Sequence, residues 1–186
     1  MSKGKIIVIS GASGVGKSTV LKQVMAARQD LVFSVSATTR APRENEVDGV
    51  HYHFVTRETF LDMIRKGEFL EYDEHHGNLY GTLYSAVEDA RKTGNVVLDV
   101  DPNGALNVRR VHPDATLIFV MPPSWEALEG RLRGRGDTPE DQINKRLSRA
   151  KWEIEQAPKY DHRVINDQVE ACVEEILNII AKKADV

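Results

Sequence analysis

Apolar and polar positions follow two rhythms along this chain. Five short runs are apolar or β-branched: KIIVIS at 5–10, FSVSATT at 33–39, NVVLDVD at 95–101, ATLIFVM at 115–121 and HRVIND at 162–167. Several are apolar throughout, as strands buried on both faces of a parallel sheet must be. Between them the period lengthens to that of a helix. In KSTVLKQVMAAR, Val20, Leu21, Val24 and Met25 share one stripe. In TPEDQINKRLSRAKWEIEQA the stripe is Ile143, Leu147, Ala150 and Ile154, and the start signal is Thr138 as cap, Pro139 in the first turn and Asp141 three residues on. A last helix is expected over 169–182. Strands alternating with helices imply a doubly wound α/β sheet.

Two stretches interrupt the alternation. Residues 34–90 are rich in polar aromatics and histidines, as in GVHYHF and EYDEHHGNLYGT, and residues 126–156 hold an arginine-dense turn before an amphipathic helix. Both read as insertions over the carboxyl ends of the strands, where open α/β sheets take ligands. The chain is thus read as one domain over 1–186: a core of about 1–33, 91–125 and 157–186, an acceptor-binding subdomain of about 34–90 and a lid of about 126–156.

Bulk composition narrows the partners. With 25 basic and 28 acidic residues the net charge is −3, so no general attraction to nucleic acid or an anionic membrane is expected. The lone Cys172 excludes an internal disulfide and reads as a buried apolar residue. The apolar run 6–9 is too short to span a bilayer or form a signal-peptide core. A cytoplasmic protein acting on small molecules is expected.

The chemistry begins at GASGVGKS, which fits G-x-x-x-x-G-K-[ST] from Gly11 to Ser18 with a strand before it and a helix after it. Gly11, Gly14 and Gly16 let the backbone curl until successive N–H groups point at anionic oxygens, and the following helix adds its positive end. Ala12, Ser13, Val15 and Thr19 complete the cradle. Lys17 reaches the β- and γ-phosphates, and the Ser18 hydroxyl ligates Mg²⁺. Asp99, at the end of an apolar strand, is the carboxylate expected near that ion, directly or through water, with Asp101 on the same strand face. An acceptor phosphate is expected in SATTRAPR, where Arg40 and Arg43 offer two guanidinium forks, with hydroxyls from Tyr52 and Tyr80. EHH is not a metal signature, so zinc is not expected.

SVSATTRAPR, EVDGVHYHF, GEFLEY, HGNLYGT, LDVDPNGA, RLRGRG, INKRLSRAKWEI and VIND, in this order from about Lys5 to Ile176, closely resemble the guanylate kinases, P-loop nucleoside monophosphate kinases. The resemblance implies a P-loop NTPase-type doubly wound parallel sheet with an inserted nucleotide-acceptor subdomain and a helical lid. It implies transfer of the γ-phosphoryl group of ATP to GMP, and to dGMP, with Mg²⁺ as cofactor, in purine nucleotide metabolism. By the same resemblance Arg40, Arg43, Tyr52 and Tyr80 hold the GMP phosphate, Glu71 accepts the guanine N1–H and 2-amino group, and Ser36, Thr82 and Asp101 make further guanine contacts. A carboxylate suits two adjacent donors and repels adenine, whose N1 is an acceptor. Arg135 and Arg146 match lid residues that close over the ATP phosphates, and Asn166 a residue beside the adenine. Arg131 and Arg149 are explained adequately as helix-surface charge. Lys17, Arg40, Arg135 and Arg146 are the expected catalytic groups, with no general base, because the attacking phosphate oxygen is already ionised.

The departures from the family pattern are small: Ala12 for proline, Leu79 for tyrosine, Tyr72 for tryptophan, Asn103 for glutamine, and His75 and His76 for a less polar pair. Two other readings stand beside this one. A superfamily enzyme acting on a ribose bisphosphate fits HYHF and FLEY poorly. A catalytically dead binding module fits poorly with the intact Gly16, Lys17 and Ser18.

Overall fold

The computed structural model describes residues 3–75, 77–134 and 139–184, with no side-chain description for His75, Lys183 or Ala184. The elements in chain order are β1 (Ile6–Gly11), α1 (Lys17–Ala27), β2 (Leu31–Phe33), β3 (Ala37–Thr38), β4 (His53–Phe54), α2 (Arg57–Arg65), β5 (Phe69–His75), β6 (Asn78–Leu83) and α3 (Tyr84–Ala90). They continue with β7 (Asn95–Asp99), α4 (Pro102–Val111), β8 (Thr116–Met121), α5 (Trp125–Arg133), α6 (Glu140–Gln156), a 3-10 turn at Ala157–Lys159, β9 (His162–Ile165) and α7 (Val169–Ala184). One sheet has the order β2-β7-β1-β8-β9 and a second the order β4-β3-β6-β5. The first is parallel in its β2–β7, β1–β8 and β8–β9 pairings. It is the doubly wound sheet expected from the apolar runs, and no helix among the described residues is long and apolar enough to cross a membrane.

Contacts divide the chain into two compact units. The first takes the residues up to Ile6, Asp30–Leu98 and Leu106–Ala115. Its core is small and aromatic. Phe60 of α2 stacks on Phe69 of β5 with centroids 4.3 Å apart, and Ala37 and Leu79 close the cluster. Gly81 makes this packing possible, because a Cβ there would lie 2.6 Å from the Phe69 ring and 3.0 Å from Phe60. α2 is started by Thr56, whose hydroxyl accepts the Thr59 amide at 3.1 Å. β5 and β6 form an antiparallel hairpin, with Gly77 in the left-handed region at φ 77°.

The second unit takes Ile7–Gln29, Asp99–Ala105 and the chain from Thr116 onward. β1 and β8 are buried along all but their last residues, Gly11 and Met121. Phe119 packs edge-on against Tyr160 at 5.0 Å, and Val20, Leu21 and Val24 are the buried face of α1, as its stripe predicts. Met25 of that stripe is only half-buried. Cys172 is buried in α7, and burial pushes its thiol up to about 11, in keeping with a packing role.

Three sequence expectations need correction. The run 33–39 is not one strand. It contains the end of β2 and the whole of β3, which belong to different sheets, with Ser34 still donating to the Val97 carbonyl at 3.2 Å and Ser36 already accepting from His53 at 2.9 Å. β-propensity is continuous there, but hydrogen-bond partners change within three residues. Second, β7 stops at Asp99, so Asp101 shares no strand face with it; Asp101 instead caps α4, accepting the Gly104 amide at 2.8 Å. Third, α6 has Pro139 at its cap position rather than inside its first turn, and Thr138 lies outside the described residues.

Candidate functional site

In the second unit, β1 feeds a loop that turns into α1. Gly14 and Gly16 sit at φ 86° and 92°, where side chains with a Cβ are strained. Gly16 is also the cap of α1, without a side-chain bond and with no acidic residue in the first turn, so the helix's leading amides are left for an outside anion. The loop closes on itself through Val15 donating to the Ala12 carbonyl at 3.0 Å. Ala12 and Val15 are buried beneath it, whereas Ser18 and Thr19 are exposed in the first helical turn.

Lys17 Nζ donates to Asp99 Oδ1 at the end of β7. The two side chains are 22% and 31% exposed, so the pair is open enough for a competing anion to draw the ammonium away. The Ser18 hydroxyl and Asp99 carboxylate are hard oxygen donors, which fit Mg²⁺, an ion that keeps waters and substrate phosphates in its shell.

The loop is braced from outside by side chains on three other elements. Asn166, just past β9, donates Nδ2 to the Val15 carbonyl at 2.8 Å and is 3% exposed. Arg131 on α5 donates to the same carbonyl at 3.2 Å and to the Asn166 carbonyl at 3.0 Å. On α6, Glu153 accepts the Ser13 amide at 2.7 Å and Arg146 Nε donates to the Ser13 hydroxyl at 3.3 Å. Arg149 joins Glu153, at 3.1 Å, to Asp101, at 2.8 Å. Arg131 and Arg149 are therefore not surface charge, as the sequence suggested: both are half-buried and built into the cradle's support. Glu153 escaped the sequence reading altogether, although it stands three residues after Ala150 on an apolar stripe, where an unpaired charge is costly. Arg135 lies outside the described residues.

In the first unit, Arg40 follows β3 and is fixed on every side. Its Nη1 and Nη2 donate to the two oxygens of Glu46 at 2.9 and 2.8 Å, and Nη1 also donates to the Ala41 carbonyl at 2.8 Å. Its guanidinium lies 5.5 Å from the Tyr52 ring centre and 5.8 Å from that of Phe54. Tyr80 is hydrogen-bonded to it, and the Tyr52 and Tyr80 rings meet edge to face at 6.0 Å. The Arg40 bonds hold the Glu46 carboxyl at about 2, with help from the Arg43 amide, which donates to Glu46 at 2.8 Å. Glu46 in turn raises the already high affinity of Arg40 for its proton. Arg40, Tyr52 and Tyr80 thus come together as the sequence suggested; Arg43 joins through its backbone while its side chain is exposed. Glu46 was missed, though an acidic residue closing a turn three after an arginine was a usable signal.

Along the hairpin, Glu71 faces Thr82 across β5 and β6, and the Thr82 hydroxyl donates to Glu71 Oε1 at 2.5 Å. Glu71 is 8% and Thr82 1% exposed. A buried carboxylate has two oxygens with about four acceptor positions, a donor-seeking group suited to a ligand that presents N–H groups. Ser36 lies just before β3 in the same sheet region.

A family model described as guanylate kinase matches residues 3–183. Guanylate kinase 1 of Oryza sativa subsp. japonica is 47% identical over 186 residues, covering 97% of this chain and 49% of the rice protein. The guanylate kinase of Halalkalibacterium halodurans is 48% identical over 179 residues, covering 96% of this chain and 88% of its own length. Among solved structures, guanylate kinase from Anaplasma phagocytophilum superposes with a TM-score of 0.78 at 34% identity, covering 98% of this chain and 87% of that one.

Proposed function

The chain belongs to the guanylate kinase family, and from that membership we propose which of its residues carry the family's reaction. The reaction is transfer of the γ-phosphoryl group of ATP to GMP, giving ADP and GDP. The observation that carries the acceptor assignment is the buried Glu71–Thr82 pair, on a sheet whose neighbouring strands lead to Arg40, Tyr52 and Tyr80.

The donor binds at residues 11–19. Loop amides and the start of α1 take the phosphate oxygens, and Lys17 leaves Asp99 for the β- and γ-phosphates. Ser18 and Asp99 would hold Mg²⁺, which would supply charge neutralisation at the transferring group. Arg146 and Arg135 add positive charge from the lid stretch 126–156, and Asn166 braces the loop at the nucleoside end. The acceptor binds in the stretch 34–90. Arg40 and Arg43 take the GMP phosphate with the Tyr52 and Tyr80 hydroxyls. Glu71 accepts the guanine N1–H and 2-amino group, with Ser36 and Thr82 of the same unit completing base recognition. These contacts are to base and phosphate, so dGMP serves as a second acceptor.

No side chain needs to remove a proton, because the attacking phosphate oxygen is already ionised. Catalysis is alignment of two polyanions and neutralisation of the charge that spreads over the transferring group. An acceptor screen tests the reading: with MgATP, GMP is phosphorylated at least about a hundredfold faster than AMP, UMP or CMP. Equal rates with AMP would overturn the assignment of Glu71, and no turnover with any acceptor would overturn the site as a whole.

A further inference from the structure

The geometry points to Glu153 as a positioning residue for the donor cradle, an inference that rests on residues 11–19 binding ATP. Glu153 is the one carboxylate among the described residues shown bonded to an amide of this loop. It is 7% exposed, on the buried face of α6 beside Ile143 and Ala150. Burying a carboxylate there is unfavourable unless its oxygens find donors. Both do. Oε2 accepts the Ser13 amide at 2.7 Å, and Oε1 accepts Arg149 Nε at 3.1 Å.

The chain of bonds continues. Arg149 Nη2 reaches Asp101 Oδ2 at 2.8 Å, and Asp101 Oδ1 caps α4 through the Gly104 amide at 2.8 Å. The loop is therefore tied through one carboxylate to α6 and, through one arginine, to the start of α4. The chemistry explains why the residue is acidic. Bridging two donors needs two acceptor oxygens, and glutamine offers only one.

Ser13 is held twice from α6, its amide by Glu153 and its hydroxyl by Arg146. Together with Asn166 and Arg131 on the Val15 carbonyl, this sets the loop's curvature before nucleotide arrives. Preorganised donors spare the ordering cost at the moment of binding, and a misplaced cradle loses alignment of the γ-phosphoryl group.

The test is steady-state kinetics of the full chain with both substrates varied, alongside thermal melting. Glu153→Ala raises KM for ATP about tenfold, with KM for GMP within about twofold of the parent. Glu153→Gln, with one acceptor oxygen left, gives an intermediate rise in KM for ATP. Arg149→Met keeps the Ser13 bond and shifts KM for ATP less than Glu153→Ala does. An unchanged KM for ATP in Glu153→Ala overturns the inference, as does an equal rise in both KM values, which marks general damage. If the alanine variant does not fold, the glutamine variant is read by the same two outcomes. Failure here is separable from failure of the ATP assignment: Lys17→Met still abolishes turnover if only the Glu153 inference is wrong.

Discussion

The two anion sites are built from different materials. The proposed donor cradle is backbone: glycines sit at φ 86° and 92°, and the Lys17 ammonium is paired with Asp99. The acceptor cluster is side chain: the Arg40 guanidinium is held by both oxygens of Glu46 and by the Tyr52 and Phe54 rings. Only a proline removes a backbone donor, so the cradle depends chiefly on the shape of the loop and on the braces behind it. A guanidinium has five donors but a long, mobile stem, so it needs an internal carboxylate to hold its plane. In both sites an acidic side chain is paired with a cationic donor, and that is the shared element.

The largest effect is expected at the cradle. Lys17→Met should lower turnover by at least about a thousandfold while the melting temperature stays within a few degrees, because the role proposed for the half-buried Lys17 is charge at the transferring phosphoryl group rather than packing. Turnover near the parent's would mean that the amides alone suffice.

Next is the fork. Arg40→Lys keeps the charge and removes the planar donor pair that Glu46 holds. KM for GMP should rise about a hundredfold with KM for ATP unchanged. An effect equal to that on ATP would erase the distinction between the two sites.

A smaller loss is expected from Glu71→Gln, which replaces one acceptor oxygen of the buried pair with a donor amide. kcat/KM for GMP should fall at least about tenfold, and discrimination against AMP should narrow. Unaltered discrimination measured with both acceptors would remove Glu71 from base recognition.

The smallest effect concerns acid. The Glu46 carboxyl lies at about 2, below its ordinary 4.5, so the ion pair stabilises the fold fully above about 4.5 and loses that contribution as pH falls toward 2. The difference in melting temperature between the parent and Glu46→Gln should therefore stay level from pH 8 to 5 and shrink below 4.5. A difference that changes between pH 8 and 5 would show that another group governs it.

Much of this was legible without coordinates. β7 and β8 were readable because a strand buried on both faces is apolar along its length, β9 at the sheet edge only by its β-branched pair Val164 and Ile165, and the loop at 11–18 because its chemistry is local: a strand, a glycine turn and a helix start are contiguous in the chain. Arg40, Tyr52 and Tyr80 were grouped first on donor chemistry, guanidinium forks with hydroxyls, and then by the family resemblance; spacing alone could not join them, since about 40 residues separate the first from the last. The run 33–39 misled because propensity does not say which neighbour a strand will pair with.

What the sequence determined by itself is thus whatever depends on neighbours in the chain: the periodicity of the elements, the phosphate loop and the buried character of Cys172. What only the tertiary structure decided is which distant charges meet: Glu153 with the Ser13 amide, Arg149 with Asp101, Arg131 with the Val15 carbonyl. A single charged residue on a helix has the same local pattern whether it faces water or a loop more than a hundred residues away, so its role appears only when the chain folds and removes the water around it.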